Sequence, residues 1–274
     1  IVSVLEKLSR FPTKVGDVPT MVSEGWHETN AQDKGIIRRE TKYPDLDRYE
    51  LIYSGPHFFV GTPLYKTPRE VCTEKAHYDV IDLTRIPEDY VPRTNFIPVE
   101  GLKEYRERIS GFKIREKDNG ESIYDVFLDH FKVVWSRMVS LAGERTLQAV
   151  IGLPKVAHVN TVNSLIFRKE KYLVELTGLL ASIPYDFFIK TIGKGDIRGS
   201  NMISLPMGIH ERYCNKLAFR ILLLNCLTRP YAPLWQRHWQ ESFRQELWSK
   251  EDPRLKDLST LSPDWSWDTP LRNY

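Results

Sequence analysis

From Pro12 to Pro98 the chain is cut into short pieces: Pro, Gly, Thr and aromatic residues recur, and apolar runs such as "YELIYSG" and "HFFVG" end in turn residues. A chain so punctuated cannot build long helices there, because Pro removes a backbone donor and Gly raises the entropic cost of ordering. Short strands joined by loops are expected for that half, with "YELIYSG" and "HFFVG" among them. The pattern turns helical between Gly101 and Gly143, where "VFLDHFKVVWSRMV" sets Val126, Phe127, His130, Val133, Val134 and Met138 at three- and four-residue spacing. On that stripe His130 reads as a packed helix residue. "LQAVIGL" and "TVNSLIFRK" return to strand character, and "YLVELTGLLASIPYDFFIKT" reads as two helices, with Ser182 and Pro184 at the start of the second.

After Pro206 helices dominate. "NKLAFRILLLNCL" is apolar enough for a buried helix, and Trp235, Trp239, Phe243 and Leu247 recur every fourth residue, as core residues do on one helix face. The closing segment is proline-spaced and is expected to pack through Trp265 and Trp267. The fold expected is α+β: a β-rich domain with packed helices over residues 1–207, then a helical region over 208–274. With 274 residues the chain can bury one large core or two modest ones. An opening Ile1 and a close at "TPLRNY" read as a piece of a larger protein.

Composition narrows function only a little. A formal charge of +3 means that any nucleic-acid footprint must come from local clusters of Lys and Arg. Cys72, Cys214 and Cys226 have no C-x-x-C spacing, so they read as packing residues in a reducing compartment. No run approaches about 18 apolar residues, and a cytoplasmic chain outside the membrane is expected.

The segment "IGKGDIRGSNMISLPM" carries Gly193, Gly195 and Gly199. It lacks the G-x-G-x-x-G spacing and the terminal G-K-[ST] of nucleotide loops, and it follows a helix rather than a strand. Gly193 suits the left-handed residue that ends a helix, and Ser200 or Asn201 suits a cap before Pro206. Those roles leave Lys190, Lys194 and Arg198 unexplained, and cations on a capped loop suit phosphate oxygens. No H-E-x-x-H, G-x-S-x-G or metal-spaced His/Cys set occurs. Asp17 with Glu40-Thr41-Lys42 has the residue types of a Mg²⁺-dependent nuclease core. His27 and His57 have no nucleophile beside them in sequence and suit a structural or substrate-contact role.

The run "LLASIPYDFFIKTIGKGDIRGSNMISLP" resembles the end of target-recognition domains in restriction-modification specificity modules, through Ser182, Phe187, Phe188, Ile189, Lys190, Gly193, Leu205 and Pro206. "SEGWHETNAQDKGIIRRET", "SGPHFFVGTPLYKTPR", "DVIDLTRIPEDYVPRTNFIP" and "WSKEDPRLKDL...WSWDTPLRNY" are similar to segments of large adenine-specific DNA methylases of the type IIG or phage-defence kind. The resemblance implies a parent enzyme that methylates adenine N6 with S-adenosylmethionine. Neither the [N/D/S]-P-P-[Y/F] nor the F-x-G-x-G motif is present, so this chain resembles the part that selects the sequence. No catalytic residue, metal ligand or cofactor is assigned to it, and its implied partners are double-stranded DNA and the methyltransferase catalytic domain of the same parent chain. Candidate DNA contacts are Lys66 and Arg69 in "YKTPR", Arg93 and Asn95 in "PRTNF", and Lys190, Lys194, Arg198 and Asn201 in the glycine loop. Two other readings stay open: the nuclease of Asp17, Glu40 and Lys42, and a protein-interaction domain built on the Trp-rich end.

Overall fold

The structure is a computed structural model that describes residues 2–250, 252–253 and 255–272. Within the C-terminal segments resembling DNA methylases, Glu251, Arg254, Asn273 and Tyr274 lie outside the described residues. The strands in chain order are β1 (Thr20–Ser23), β2 (Ile37–Lys42), β3 (Ile52–Tyr53), β4 (Lys66–Pro68), β5 (Tyr78–Val80), β6 (Thr94–Pro98), β7 (Ser110–Glu116), β8 (Ser122–Val126), β9 (Lys132–Ser136), β10 (Ala149–Gly152), β11 (Ala157–His158) and β12 (Val162–Phe167). The helices are α1 (Val2–Ser9), α2 (Glu28–Asp33), α3 (Leu102–Glu107), α4 (Lys171–Leu180), α5 (Ile183–Ile192), α6 (Gly199–Ile203), α7 (Glu211–Asn225) and α8 (Ala232–His238). The fold class is α+β, as the alternation of short strands with later helices implies.

An antiparallel sheet in the order β1-β12-β9-β10 forms the centre, with Leu165 opposite Val133 and Ile151 opposite Val133 on its other side. Residues of β9, β10 and β12 are buried on both faces, so these strands carry near-continuous apolar runs. Period-two alternation sorts the faces. Leu165 and Phe167 pack in a core with α4 and α7, while Ile166 packs in a second core with Ile52, Phe96, Tyr105 and Phe127.

Helices α4 and α7 approach closely because Gly178 leaves room; a Cβ there would meet Leu217 Cγ at 2.6 Å. The C-terminal helices also close the open edge of the sheet. Asn225 Oδ1 accepts from Ile151 N (2.8 Å) and Tyr231 Oη donates to Ile151 O (2.9 Å), so the outward backbone groups of Ile151 in β10 are satisfied. Residues on both sides of Met207 therefore share one core.

Three expectations change. Only Leu102–Glu107 of the 101–143 stretch is α-helical; the run read as a helix forms the end of β8, a 3₁₀ turn at Phe127–Asp129, and β9. Val133, Val134 and Trp135 pair with β10 and β12 and are all fully buried, and a strand buried on both faces has no polar alternation to distinguish it from a helix. "HFFVG" is not a strand. Gly55–His57 form a 3₁₀ turn, followed by an isolated bridge between Phe59 and Thr62. The aromatic repeat is not one helix, since α8 stops at His238 and Trp239 turns extended. Trp235 and Phe243 are fully buried, Trp239 packs between them at 5.5 and 5.6 Å, and Leu247 is 80% exposed.

Candidate nucleic-acid interface

The segment Ser54–His57 organises one end of this surface. His57 is fully buried, and its Nε2 lies 2.9 Å from the Arg93 carbonyl, which only accepts, so Nε2 carries the proton. Nδ1 is then the acceptor, receiving Ser54 N at 2.9 Å with Ser54 Oγ 3.1 Å away. Burial pushes the imidazole pKa down and keeps the ring neutral. A hydroxyl does therefore stand beside His57, but the ring serves as the cap of the 3₁₀ turn. Ser54 Oγ also bonds Tyr78 Oη (2.7 Å), and Thr67 Oγ1 accepts from Arg93 N (2.9 Å). Segments distant in sequence, 54–57, 66–68, 78 and 93, are locked together by this buried network.

The lock displays cations. Arg69 holds Asp79 through Nε and Nη2 (2.9 and 2.8 Å), Arg93 lies over the Tyr43 ring at 4.7 Å, and Lys66 Nζ lies 5.2 Å from the Tyr65 ring centre. Asn95 is not a surface residue: it is 4% exposed, its amide nitrogen donates to Cys72 O (3.0 Å) and Thr41 Oγ1 (2.8 Å), and its oxygen accepts from Arg39 Nη1 (3.0 Å). No amide edge remains for a base; Asn95 orients Arg39. The sequence signal for Arg39 was the pair Arg38-Arg39 in a strand, whose neighbours must face opposite ways. Arg38 turns out to Glu40, whereas Arg39 stacks on Phe96 at 4.7 Å.

Arg39, Asn95, Tyr78, Ser54 and Thr161 line a cavity of about 210 Å³. Thr161 ties that cavity to the glycine loop: its carbonyl accepts from Arg137 N (3.1 Å), and Arg137 grips Asp196 through Nε and Nη2, both at 3.0 Å. Arg137 then Arg198 hold the Asp196 carboxyl below the usual carboxylate range. Arg198 contacts Asp196 through Nε alone (3.1 Å), which leaves its terminal amino groups without a partner among the described residues. The loop is fixed from beneath, where Trp135 Nε1 (2.7 Å) and Asn163 Nδ2 (3.1 Å) both donate to Ile197 O. Arg137 had no usable sequence signal, because "WSRMV" read as helix.

Within the loop the candidates divide. Gly193 ends α5 with φ 71°, as its sequence position implies. Lys190 Nζ donates to the carbonyls of Gly143 (2.8 Å) and Glu144 (3.0 Å), so it anchors a neighbouring turn. Asn201 Oδ1 accepts from Arg198 N (3.1 Å), which caps α6 in place of Ser200. Lys194 is exposed and, among the described residues, unpaired. Arg93 is thus tied to the Lys66–Pro68 strand, while Thr161, at the cavity that Arg39 lines, contacts Arg137, which shares Asp196 with Arg198.

Asp17, Glu40 and Lys42 are each engaged separately: Asp17 accepts from Lys14 N (2.7 Å), Glu40 pairs with Arg38 (2.7 Å) and Lys42 with Glu50 (2.8 Å). Among the described residues no three His, Cys, Asp or Glu side chains form a metal-sized group, and the three cysteines are free thiols, Cys72 and Cys226 buried and Cys214 half-buried. His130 sits on a larger cleft of about 800 Å³, bonded to Asp125 (2.9 Å). The cations of that cleft pair with acids, Lys155 with Asp47, Arg229 with Glu88 and Arg237 with Glu170, just as Arg69 pairs with Asp79 and Arg93 with Glu70 (3.5 Å), so among the candidates Lys194 and the terminal amino groups of Arg198 are better placed for an anion. No single helix among the described residues is long and apolar enough to cross a membrane. No family model matches the chain, and no curated protein is similar to it.

Proposed function

We propose that the chain is the sequence-selecting, non-catalytic part of an adenine-N6 DNA methyltransferase of a restriction-modification or phage-defence system, working in the cytoplasm. Double-stranded DNA is its ligand; S-adenosylmethionine belongs to the catalytic domain of the parent chain. The observation that carries this reading is Arg198, whose terminal amino groups are unpaired among the described residues on a loop fixed from beneath, next to exposed Lys194. In this reading Lys194 neutralises a phosphate, and the free amino groups of Arg198 take either a phosphate or the O6 and N7 edge of a guanine. The segment that bears the specificity-module resemblance, with its helix pair, left-handed Gly193 stop and capped α6, also carries Lys194 and Arg198.

Fluorescence anisotropy of a labelled duplex across salt tests it. Lys194→Ala and Arg198→Ala are each expected to weaken binding at low salt and to flatten the slope of log affinity against log salt by about 0.9. If Arg198 reads a guanine rather than a phosphate, Arg198→Ala instead relaxes specificity at one base position by about 1 to 3 kcal/mol. Binding that does not respond to salt would favour a protein-interaction domain, and Mg²⁺-dependent cleavage of the duplex would favour the nuclease.

A further inference from the structure

We propose that the cleft beside His130 docks an extended peptide segment of a partner protein, one that carries lysine or arginine with apolar residues between the charges. The cleft holds about 800 Å³, within the roughly 300–1,000 Å³ of ligand sites and room for several residues of such a segment. Much of its lining is apolar: Leu46, Phe131, Leu153, Pro154, Pro230 and Pro233. Phe131 and Leu153 belong to the main core, so this floor is fixed before anything binds and little ordering is needed on the protein's side.

Charge decides the occupant. Each cation on the wall is held by an acid, Lys155 by Asp47, Arg229 by Glu88, and Arg237 by both oxygens of Glu170 at 2.9 and 2.8 Å. Asp129 pairs with Arg106 in turn. Asp45 and Asp89, from separate loops, line the same cleft and have no ion-pair partner among the described residues. The excess is negative, so the cleft repels phosphate and attracts a cation. Among the described residues no three acids, histidines or cysteines stand close enough to share a metal ion, so the unpaired charge is spread over separate points. Spread carboxylates above an apolar floor match a chain whose cations ride on aliphatic stems: the stems lie on Phe131 and the prolines, and the charged heads reach the exposed rim. Asp47 N donates to Asp45 Oδ1 (2.8 Å), which orients that carboxylate and leaves Oδ2 for the ligand.

The test uses the full chain and a fluorescein-labelled peptide of about six residues in which lysine alternates with leucine, read by anisotropy at low and high salt. Asp89→Asn breaks no ion pair, and Asp45→Asn keeps an oxygen to accept from Asp47 N, so both variants fold, which urea unfolding checks. Each is expected to weaken the peptide by about threefold and the two together by about tenfold, the loss fading at high salt. Asp118→Asn, which removes an exposed acid on the β7–β8 turn outside the cleft, is expected to change nothing. A second peptide with serine in place of leucine is expected to bind about tenfold more weakly than the first. An equal loss from Asp118→Asn would mean general attraction to any acid. Equal binding of the serine peptide, or its leucine counterpart displaced by an equal concentration of spermine, would mean a site for small cations, and a leucine peptide that does not bind would mean no docking. Each of these overturns the proposal, and none bears on Lys194 or Arg198, so the DNA reading is decided by its own titration.

Discussion

Lys132 is the most exacting test of the core. Its ammonium is 1% exposed inside β9, with Nζ donating to Leu153 O (2.8 Å) and Leu128 O (3.4 Å) and no carboxylate in contact. Burial lowers its pKa from 10.5 to about 7, opposed only by the charge of Asp129. Because the folded value lies below the unfolded one, the unfolded chain binds the extra proton between those two pH values, and stability must rise with pH there. For a folded pKa of about 7, the gain is about 1 kcal/mol between pH 7 and pH 8. Lys132→Met keeps the length of the side chain and removes the titration. Urea unfolding followed by Trp fluorescence should show the parent gaining about 1 kcal/mol more than the variant over that interval. The three thiols and the other titrating groups cancel in the difference. Parallel stability curves would show that the amine titrates normally, and the dry-core description of β9 would fail.

The aromatic cluster makes a second contrast: Trp235→Ala should cost about 3 to 5 kcal/mol, and Trp239→Ala, whose ring is half-exposed, clearly less, as measured by thermal or urea unfolding. Equal costs would contradict the packing described. Gly193→Ala should destabilise by about 1 kcal/mol through the left-handed backbone alone, since no atom lies within 4 Å of the added Cβ, and melting that matches the parent would remove the helix-stop role.

Much of the local structure was legible in residue order. The α4–α5 pair with Pro184 in its first turn, the Gly193 stop and buried α7 follow from capping chemistry and periodicity, which act over a few residues. The strands β10 and β12 follow from β-branched runs. What sequence alone left undecided depended on partners far along the chain. Whether Val133 and Val134 lie on a helix or a strand is set by pairing with β10 and β12, because apolar content on a doubly buried element carries no period. Arg93 and Asn95 lie two residues apart, and residue type suits both for reading DNA. Only the meeting of β6 with Arg39, Cys72 and Thr41 turns one inward to satisfy a buried network and leaves the other on the surface. The turn at Asn160 and Thr161 has no motif at all. It is held by Arg137, at the end of β9, which donates to both of its carbonyls, a contact made by tertiary register and not by spacing in the sequence.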